Sequence, residues 1–122
     1  MIVFTVSLPW PDPKLSPNAR LHFRKKSAHI HAARSVGFCM ARDNEVFQNG
    51  RINWTGPLET KLIFQPPNKR RRDVDNLLAS CKAYLDGIFE ALGVDDSRVK
   101  RTVLEMGDPV LFGMITVEIR MI

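Results

Sequence analysis

The chain has 122 residues, of which 44% are hydrophobic and 25% charged, and its formal net charge is +5. This length suits one domain, and the hydrophobic content is enough for a packed core, which argues against intrinsic disorder. Two cysteines cannot form a disulfide scaffold, no apolar stretch approaches the ~20 residues that span a bilayer, and the first residues lack a signal-peptide pattern. We therefore expect a single cytoplasmic domain over residues 1–122 that has no membrane partner.

The first half of the chain predicts a strand, a helix and a second strand. Ile2–Leu8 is apolar and β-branched and ends before a proline, which favours a strand. Residues 27–43 hold one glycine and no proline, and this favours a helix. Leu58–Gln65 is again strand-like and precedes two prolines. The apolar stripe predicted for the helix consists of Ala32, Val36, Cys39 and Met40.

The second half predicts a long helix followed by two strands. Apolar residues recur every three or four positions from Leu77 to Leu92, and Gly93 suits the end of a helix. Val99–Met106 and Gly113–Ile122 are expected to pair as a hairpin. The order β-α-β-α-β-β predicts an α/β (α+β) fold, in which two main helices pack on one small mixed sheet.

The charges are unevenly distributed along the sequence. Residues 1–72 carry 13 basic and four acidic side chains, whereas residues 73–122 carry five basic and nine acidic ones. The change is abrupt, since Lys69, Arg70, Arg71 and Arg72 run directly into Asp73. A basic surface favours a polyanionic partner such as nucleic acid, because Lys and Arg displace counterions from phosphates. The alternative is an ordinary solvated basic surface.

Asp73 and Asp75 stand two residues apart where a loop enters the long helix. Two such carboxylates can act as ligands of one hard cation, for which Mg²⁺ or Mn²⁺ is the natural choice. Alternatively, they cap the helix and offset its dipole. The neighbouring basic run favours the metal interpretation, because a nuclease needs cations at the phosphate backbone and carboxylates for its metal. A basic run can also serve localisation or general nucleic-acid attachment.

Asp75, Ala79, Lys82 and Asp86 follow one stripe on the polar side of the predicted helix. Lys82 on this stripe can stabilise charge that develops on a phosphate. The alternative is a common i,i+4 ion pair between Lys82 and Asp86 on a solvated surface.

Asp95 and Asp96 follow the predicted helix and are either turn formers or further metal ligands. A continuous helix from Asp75 to Leu92 would be roughly 25 Å long. The four residues from Gly93 to Asp96 can run back along it by at most ~14 Å, which is too short to bring Asp96 to Asp75. A site shared within one chain is therefore strained unless the helix starts later or breaks. A two-fold dimer would instead bring Asp96 of one chain to Asp73 and Asp75 of the other.

The two cysteines are expected to lie in the core. Both Cys39 and Cys81 fall on predicted apolar stripes, and a buried thiol behaves as a small hydrophobic side chain. Neither is predicted to be a nucleophile.

The motif Arg71-Arg72-Asp73-Val74-Asp75-Asn76 resembles the RusA family of Holliday-junction resolvases. The resemblance extends to Ser7–Pro11 after the first strand, to Ser16–Arg20 in the following loop, and to Gly93–Val99 downstream. It covers most of the chain in the order and context of that family.

The resemblance implies a homodimeric, Mg²⁺-dependent endonuclease of bacteria and their phages that nicks two strands of a four-way DNA junction symmetrically. It assigns the metal ligands to Asp73, Asp75 and Asp96, with Asp95 and Asn76 as auxiliary residues. The family lysine, three positions after the motif asparagine, falls on Ala79, so Lys82 is the expected substitute. DNA-backbone contacts would come from the basic side chains of Arg24, Lys25, Lys26, Lys69, Arg70, Arg71 and Arg72.

There are two alternatives to a resolvase. One is a non-catalytic nucleic-acid-binding module, in which the acidic residues only cap helices and form turns. The other is a nuclease of the same fold that acts on other branched DNA.

Overall fold

The structure is a computed structural model that describes residues 3–20, 22–44 and 52–122. Its main elements are four strands and three helices, with two consecutive helices followed by two consecutive strands in the second half. In chain order they are β1 (Val3–Pro9), α1 (Phe23–Arg42), β2 (Leu58–Gln65), α2 (Val74–Ser80), α3 (Lys82–Leu92), β3 (Val99–Met106) and β4 (Met114–Met121). No helix within the described ranges has the length and hydropathy of a membrane-spanning segment.

The four strands form one mixed sheet in the order β1-β4-β2-β3, so the predicted α+β class is confirmed. β4 is antiparallel to both β1 and β2, and β2 is parallel to β3. The prediction of a β3–β4 hairpin is wrong, because β2 lies between these two strands. The helices that connect β2 to β3 form a crossover, and a crossover makes the two strands parallel.

The core lies between one face of this sheet and the helices. β4 alternates buried and partly exposed residues, as a strand with one covered face should. The large, fully buried side chains of the core include residues of β1, β2, β4 and α3, among them Phe4, Leu8, Leu62, Phe64, Ile88, Ile115 and Ile119.

Helix α1 begins four residues before the predicted start, and it buries a different face from the predicted one. Its buried residues are Ala33, Gly37 and Ala41, whereas Met40 is 40% exposed and Cys39 is exposed. The reason is close packing against α3, which requires small side chains along the contact line. A Cβ placed on Gly37 would overlap the Tyr84 carbonyl group, and one on Gly87 would overlap that of Arg34.

The predicted single helix from residue 75 to residue 92 is interrupted at Cys81. The amide of Cys81 is shared between the carbonyl oxygens of Leu77, at 3.2 Å, and Leu78, at 3.0 Å. The Ser80 hydroxyl donates a 2.8 Å hydrogen bond to the Asn76 carbonyl oxygen, a contact that commonly bends helices. Cys81 is buried as expected, and burial raises the pKa of its thiol to about 12, so it is not a nucleophile.

Candidate functional site

The candidate site lies where the carboxyl ends of β1, β2 and β3 meet at one edge of the sheet. Pro9 of β1 and Gln65 of β2 both face Met114, the first residue of β4. The loops that leave β1 and β2 therefore emerge side by side. They enclose an open cleft of about 520 Å³, whose lining includes Trp10, Asn18, Arg70, Arg71, Asp73 and Asn76.

Arg72 fixes the shape of the loop between β2 and α2, residues 66–73, which carries the four consecutive cations and is called the basic loop below. Its Nη1 donates hydrogen bonds to the Asn68 and Arg70 carbonyl oxygens at 3.0 and 2.8 Å, and its Nη2 donates to Asn68 Oδ1 at 2.9 Å. Its guanidinium carbon lies 5.3 Å from the centroid of the Trp10 ring, within cation–π range. Much of the donor capacity of Arg72 is therefore used inside the protein.

Lys69, Arg70 and Arg71 are the exposed cations of this loop. Their side chains make no hydrogen bond or ion pair with any residue in the described part of the chain. The structure thus presents three unpaired positive charges at the cleft or beside it. Such charges can neutralise the phosphates of a polyanion.

Asp73 is the N-cap of α2, as one of the two sequence interpretations predicts. Its Oδ1 accepts a 2.9 Å hydrogen bond from the Asp75 amide, while its other oxygen is not used by the cap. Asp75 lies in the first turn of α2 and is exposed, and Asn76 lines the cleft. The start of α2 therefore brings the Asp73 carboxylate and the Asn76 amide to the cleft, whereas Asp75 is exposed and is not among the residues that line it.

Lys82 bridges two carboxylates at the start of α3. Its Nζ lies 2.6 Å from Asp86 Oδ1 and 3.4 Å from Asp96 Oδ2. The hydrogen bond to Asp86 raises the pKa of Lys82, the charges of Asp86 and Asp96 add to this, and partial burial opposes it. Lys82 is therefore held as a cation, and the predicted i,i+4 pair with Asp86 is present.

Asp95 acts as a turn former. Its Oδ1 accepts a 2.9 Å hydrogen bond from the Ser97 amide and so caps the 3₁₀ turn over Asp96–Arg98. This backbone hydrogen bond lowers the pKa of Asp95, and the Ser97 side chain contributes in the same direction. The cap fixes the position from which Asp96 reaches Lys82.

Asp96 does not join Asp73 and Asp75 within one chain. It contacts Lys82, which lies seven residues beyond Asp75 and thus ~10 Å further along the helical path. Across residues 3–20, 22–44 and 52–122, no three His, Cys, Asp or Glu side chains are grouped so as to hold a metal ion. A single protomer therefore offers two neighbouring carboxylates at α2.

Arg24, Lys25 and Lys26 lie in the first turn of α1. Lys26 lines a recess of about 280 Å³ together with Ala79, Lys82 and Asp86. Ser80 borders both this recess and the main cleft, so the two adjoin. Ala79 and Lys82 thus line the same recess, as expected for two residues predicted to lie on one stripe of the helix.

Sequence reasoning did not assign roles to Trp10 and Asn68, which hold Arg72. The spacing of Asn68 from Arg70 is a recognisable signal, since the Asn68 side chain accepts a 3.0 Å hydrogen bond from the Arg70 amide in an Asx turn. No comparable local signal marks Trp10, because its partner lies 62 positions away in the sequence.

No protein-family model matches this chain. The chain is similar to an uncharacterized protein of Xylella fastidiosa (strain Temecula1), with 42% identity over 101 residues. The match covers 77% of this chain and 61% of that protein, so this chain spans about three-fifths of the length of the relative. Because that relative is described only as uncharacterized, the similarity transfers no activity.

Proposed function

We propose that this protein is a divalent-cation-dependent endonuclease that, as a homodimer, resolves four-way DNA junctions by paired nicks. The observation that carries the proposal is the cleft lined by Arg70, Arg71 and Asp73, because nuclease chemistry needs cations for the phosphate beside carboxylates for a metal. The sequence resemblance to the RusA family supports the choice of a four-way junction as substrate.

The carboxylates at α2 suit Mg²⁺, with Mn²⁺ as a substitute. Mg²⁺ is commonly bound by one or two carboxylates, with water and substrate phosphates completing its shell. The cap uses one oxygen of Asp73, so its second oxygen and the exposed Asp75 carboxylate remain for a cation. Asp96 of the partner subunit is the third ligand in this proposal.

A bound cation would polarise the phosphoryl oxygen and lower the pKa of a coordinated water molecule. Lys69, Arg70 and Arg71 would hold the phosphates on either side of the scissile bond without reading bases. Lys82, kept protonated by Asp86, would stabilise negative charge at the phosphate. Arg24, Lys25 and Lys26 would extend this backbone contact past the recess, and the Asn76 amide can donate to a phosphate oxygen from the cleft wall.

A non-catalytic nucleic-acid-binding module is the second candidate. It is favoured by the structural use of two of the acids, since Asp73 caps α2 and Asp95 caps the following 3₁₀ turn. In this alternative the unpaired cations of the basic loop bind phosphates and no metal is needed.

Cleavage assays with synthetic DNA distinguish these candidates. The purified protein is incubated with a four-way junction, a fork, a flap and a linear duplex, in Mg²⁺ or in chelator, and the nicks are mapped. We expect symmetric paired nicks in the junction with Mg²⁺ and none in chelator. Preferential cutting of the fork or the flap would identify a nuclease of other branched DNA. Binding without cutting in Mg²⁺ or Mn²⁺ would support the binding module.

Asp73→Asn tests the metal assignment without removing the helix cap, because Asn is also a strong N-cap residue. We expect cleavage to fall by about 100-fold or more, since loss of a ligand should exceed the 10–100-fold effect of disturbing its surroundings. The Asp73→Asn variant should bind the junction in chelator as tightly as the unaltered protein does. The matched control is Asp43→Asn, which changes an exposed acid at the far end of α1 and should cut normally. Undiminished cutting by Asp73→Asn would rule out this ligand.

A further inference from the structure

A strained apolar turn lies between β3 and β4. The Gly113 amide donates a 2.9 Å hydrogen bond to the Val110 carbonyl oxygen, which closes a β-turn with Leu111 and Phe112 at its centre. Phe112 has φ +65° and is the only residue other than glycine with positive φ in the described part of the chain. That position of a turn normally holds Gly or Asn, because a bulky side chain is strained there.

The two central side chains of this turn point away from the fold. Leu111 and Phe112 are each 81% exposed, which makes them the most exposed large hydrophobic residues among those described. Core packing therefore does not account for a phenylalanine at a strained position. An exposed aromatic ring held at a turn tip is available for contact with another molecule.

The turn is fixed to the base of the basic loop. The Val110 amide donates a 2.9 Å hydrogen bond to the Pro66 carbonyl oxygen. Gly113 packs so closely that a Cβ on it would lie 2.9 Å from Trp10 Cβ and 3.0 Å from Pro67 Cδ. The same Trp10 ring carries the Arg72 guanidinium. The apolar tip is thus held rigidly beside the loop that presents the unpaired cations.

We propose that Leu111 and Phe112 form a wedge that contacts exposed base faces at the branch point of DNA, while Lys69, Arg70 and Arg71 hold the adjoining phosphates. This inference rests on the proposed function and adds a substrate contact to it. Proteins that bind distorted DNA commonly insert apolar side chains between bases, while basic side chains contact the phosphates on either side. The adjacent positive charge favours a polyanion as the occupant over an apolar protein surface.

Binding of a four-way junction in chelator tests the wedge separately from cleavage. The junction carries 2-aminopurine at the branch point, and its fluorescence rises when the base is unstacked. For Phe112→Asn we expect about tenfold weaker binding and loss of the fluorescence rise. The slope of affinity against salt should stay unchanged, since it reports phosphate contacts. Leu111→Ser should act in the same direction.

Two controls separate the wedge from its surroundings. Ile122→Ala removes apolar surface at the opposite end of β4, where the Ile122 amide bonds to the Pro57 carbonyl oxygen, and should leave affinity and fluorescence unchanged. Arg71→Ala should reduce the salt slope and keep the fluorescence rise in the bound complex. Asn tolerates positive φ, so Phe112→Asn should melt at or above the temperature of the unaltered protein.

The outcomes distinguish the wedge from the proposed function. If Phe112→Asn binds and unstacks the junction as the unaltered protein does, the wedge is overturned and the endonuclease proposal stands. If the unaltered protein does not bind branched DNA, both are overturned. If Phe112→Asn changes the oligomeric state in sedimentation, the tip is a contact between protein chains, and the wedge is overturned.

Discussion

At the scale of single residues, neighbouring charges of the same kind have different roles. Arg72 is tied to Asn68 and Trp10, whereas Arg70 and Arg71 project from the loop without side-chain partners in the described residues. A run of four basic residues is therefore not four equivalent phosphate contacts. Arg72 is expected to act mainly by shaping the loop that carries the other three.

Glu59 shows how burial and pairing combine on the open face of the sheet. Its side chain is only 3% exposed, and it accepts hydrogen bonds from Arg101 Nε and, at 2.8 Å, from Arg120 Nε. Arg101 on β3 and Arg120 on β4 flank it in register on either side. The hydrogen bond from Arg101 lowers the pKa of Glu59 most, burial opposes this, and the charges of both arginines add to the lowering.

We predict that Glu59→Gln lowers the thermal unfolding temperature at pH 7, and that the difference from the unaltered protein shrinks in acid. Because the folded pKa lies below the usual 4.5, the ionised carboxylate stabilises the fold fully above pH 4.5. This stabilisation is lost as the pH falls from 4.5 through the folded pKa. Calorimetry between pH 3 and 7 measures the difference.

Glu105→Gln is the control for Glu59→Gln. Glu105 lies on the same sheet face and is 3.8 Å from Lys61, but more than half of its side chain is exposed, so its pair should contribute little. If both variants lowered the unfolding temperature equally at every pH, the pH-dependent stabilisation could not be assigned to the Glu59 carboxylate.

At the scale of elements, the crossing of α1 and α3 depends on two glycines. Gly37 and Gly87 each face a backbone carbonyl of the other helix with no room for a Cβ. Arg34 on α1 and Glu90 on α3 add an exposed ion pair at 2.9 Å across the same contact. Such a pair contributes at most about 1 kcal/mol, so close backbone packing dominates the contact.

We predict that Gly87→Ala destabilises the protein by at least about 2 kcal/mol. The added methyl group must push α1 away from α3, and overpacking of this kind outweighs the ~1 kcal/mol gain in helix propensity. Urea unfolding measures the change.

Gly93→Ala provides the control at the C-cap of the same helix, because nothing lies within 4 Å of a Cβ there. It should lose only about 1–2 kcal/mol, from placing a side chain at positive φ. A smaller loss for Gly87→Ala than for Gly93→Ala would contradict the close-packing account.

At the scale of the whole molecule, strand direction assembles the candidate site. β1, β2 and β3 all end at the same edge of the sheet, so the loops after β1 and β2 and the turn after β3 become neighbours there. This edge therefore collects Trp10, the basic loop, Asp73 and Phe112 from distant parts of the sequence. A βαβ connection commonly places binding loops at this end of a sheet.

We predict that an active dimer combines Asp73 and Asp75 of one chain with Asp96 of the other, because Asp96 contacts Lys82 in its own chain and no three acids within the described ranges are grouped to hold a metal ion. A mixed dimer of Asp73→Asn and Asp96→Asn chains, purified through two different tags, would then keep one intact site. It should nick one strand of a junction, and neither mutant homodimer should cut. A mixed dimer that cuts neither strand would contradict sharing between chains.

The sequence alone determined the local features. Strand-like composition before two prolines located β2, alternation of apolar and polar residues located β4, and a three-to-four-residue spacing located α3. The Asp73 and Gly93 signals marked helix ends correctly, because all of these signals depend on nearby residues. It also placed the basic run beside the paired acids. The register of Lys82 with Asp86 followed from helical spacing in the same way.

Only the tertiary structure decided which elements meet. The sequence could not show that β4 inserts between β1 and β2, because strand pairing depends on long-range contacts. It could not show that α1 buries Ala33, Gly37 and Ala41. The sequence pattern favoured the stripe with the larger apolar side chains, whereas the close crossing with α3 selects the face with the smallest ones. The contact of Asp96 with Lys82 and the strained turn at Phe112 are likewise set by packing between segments that are distant in sequence.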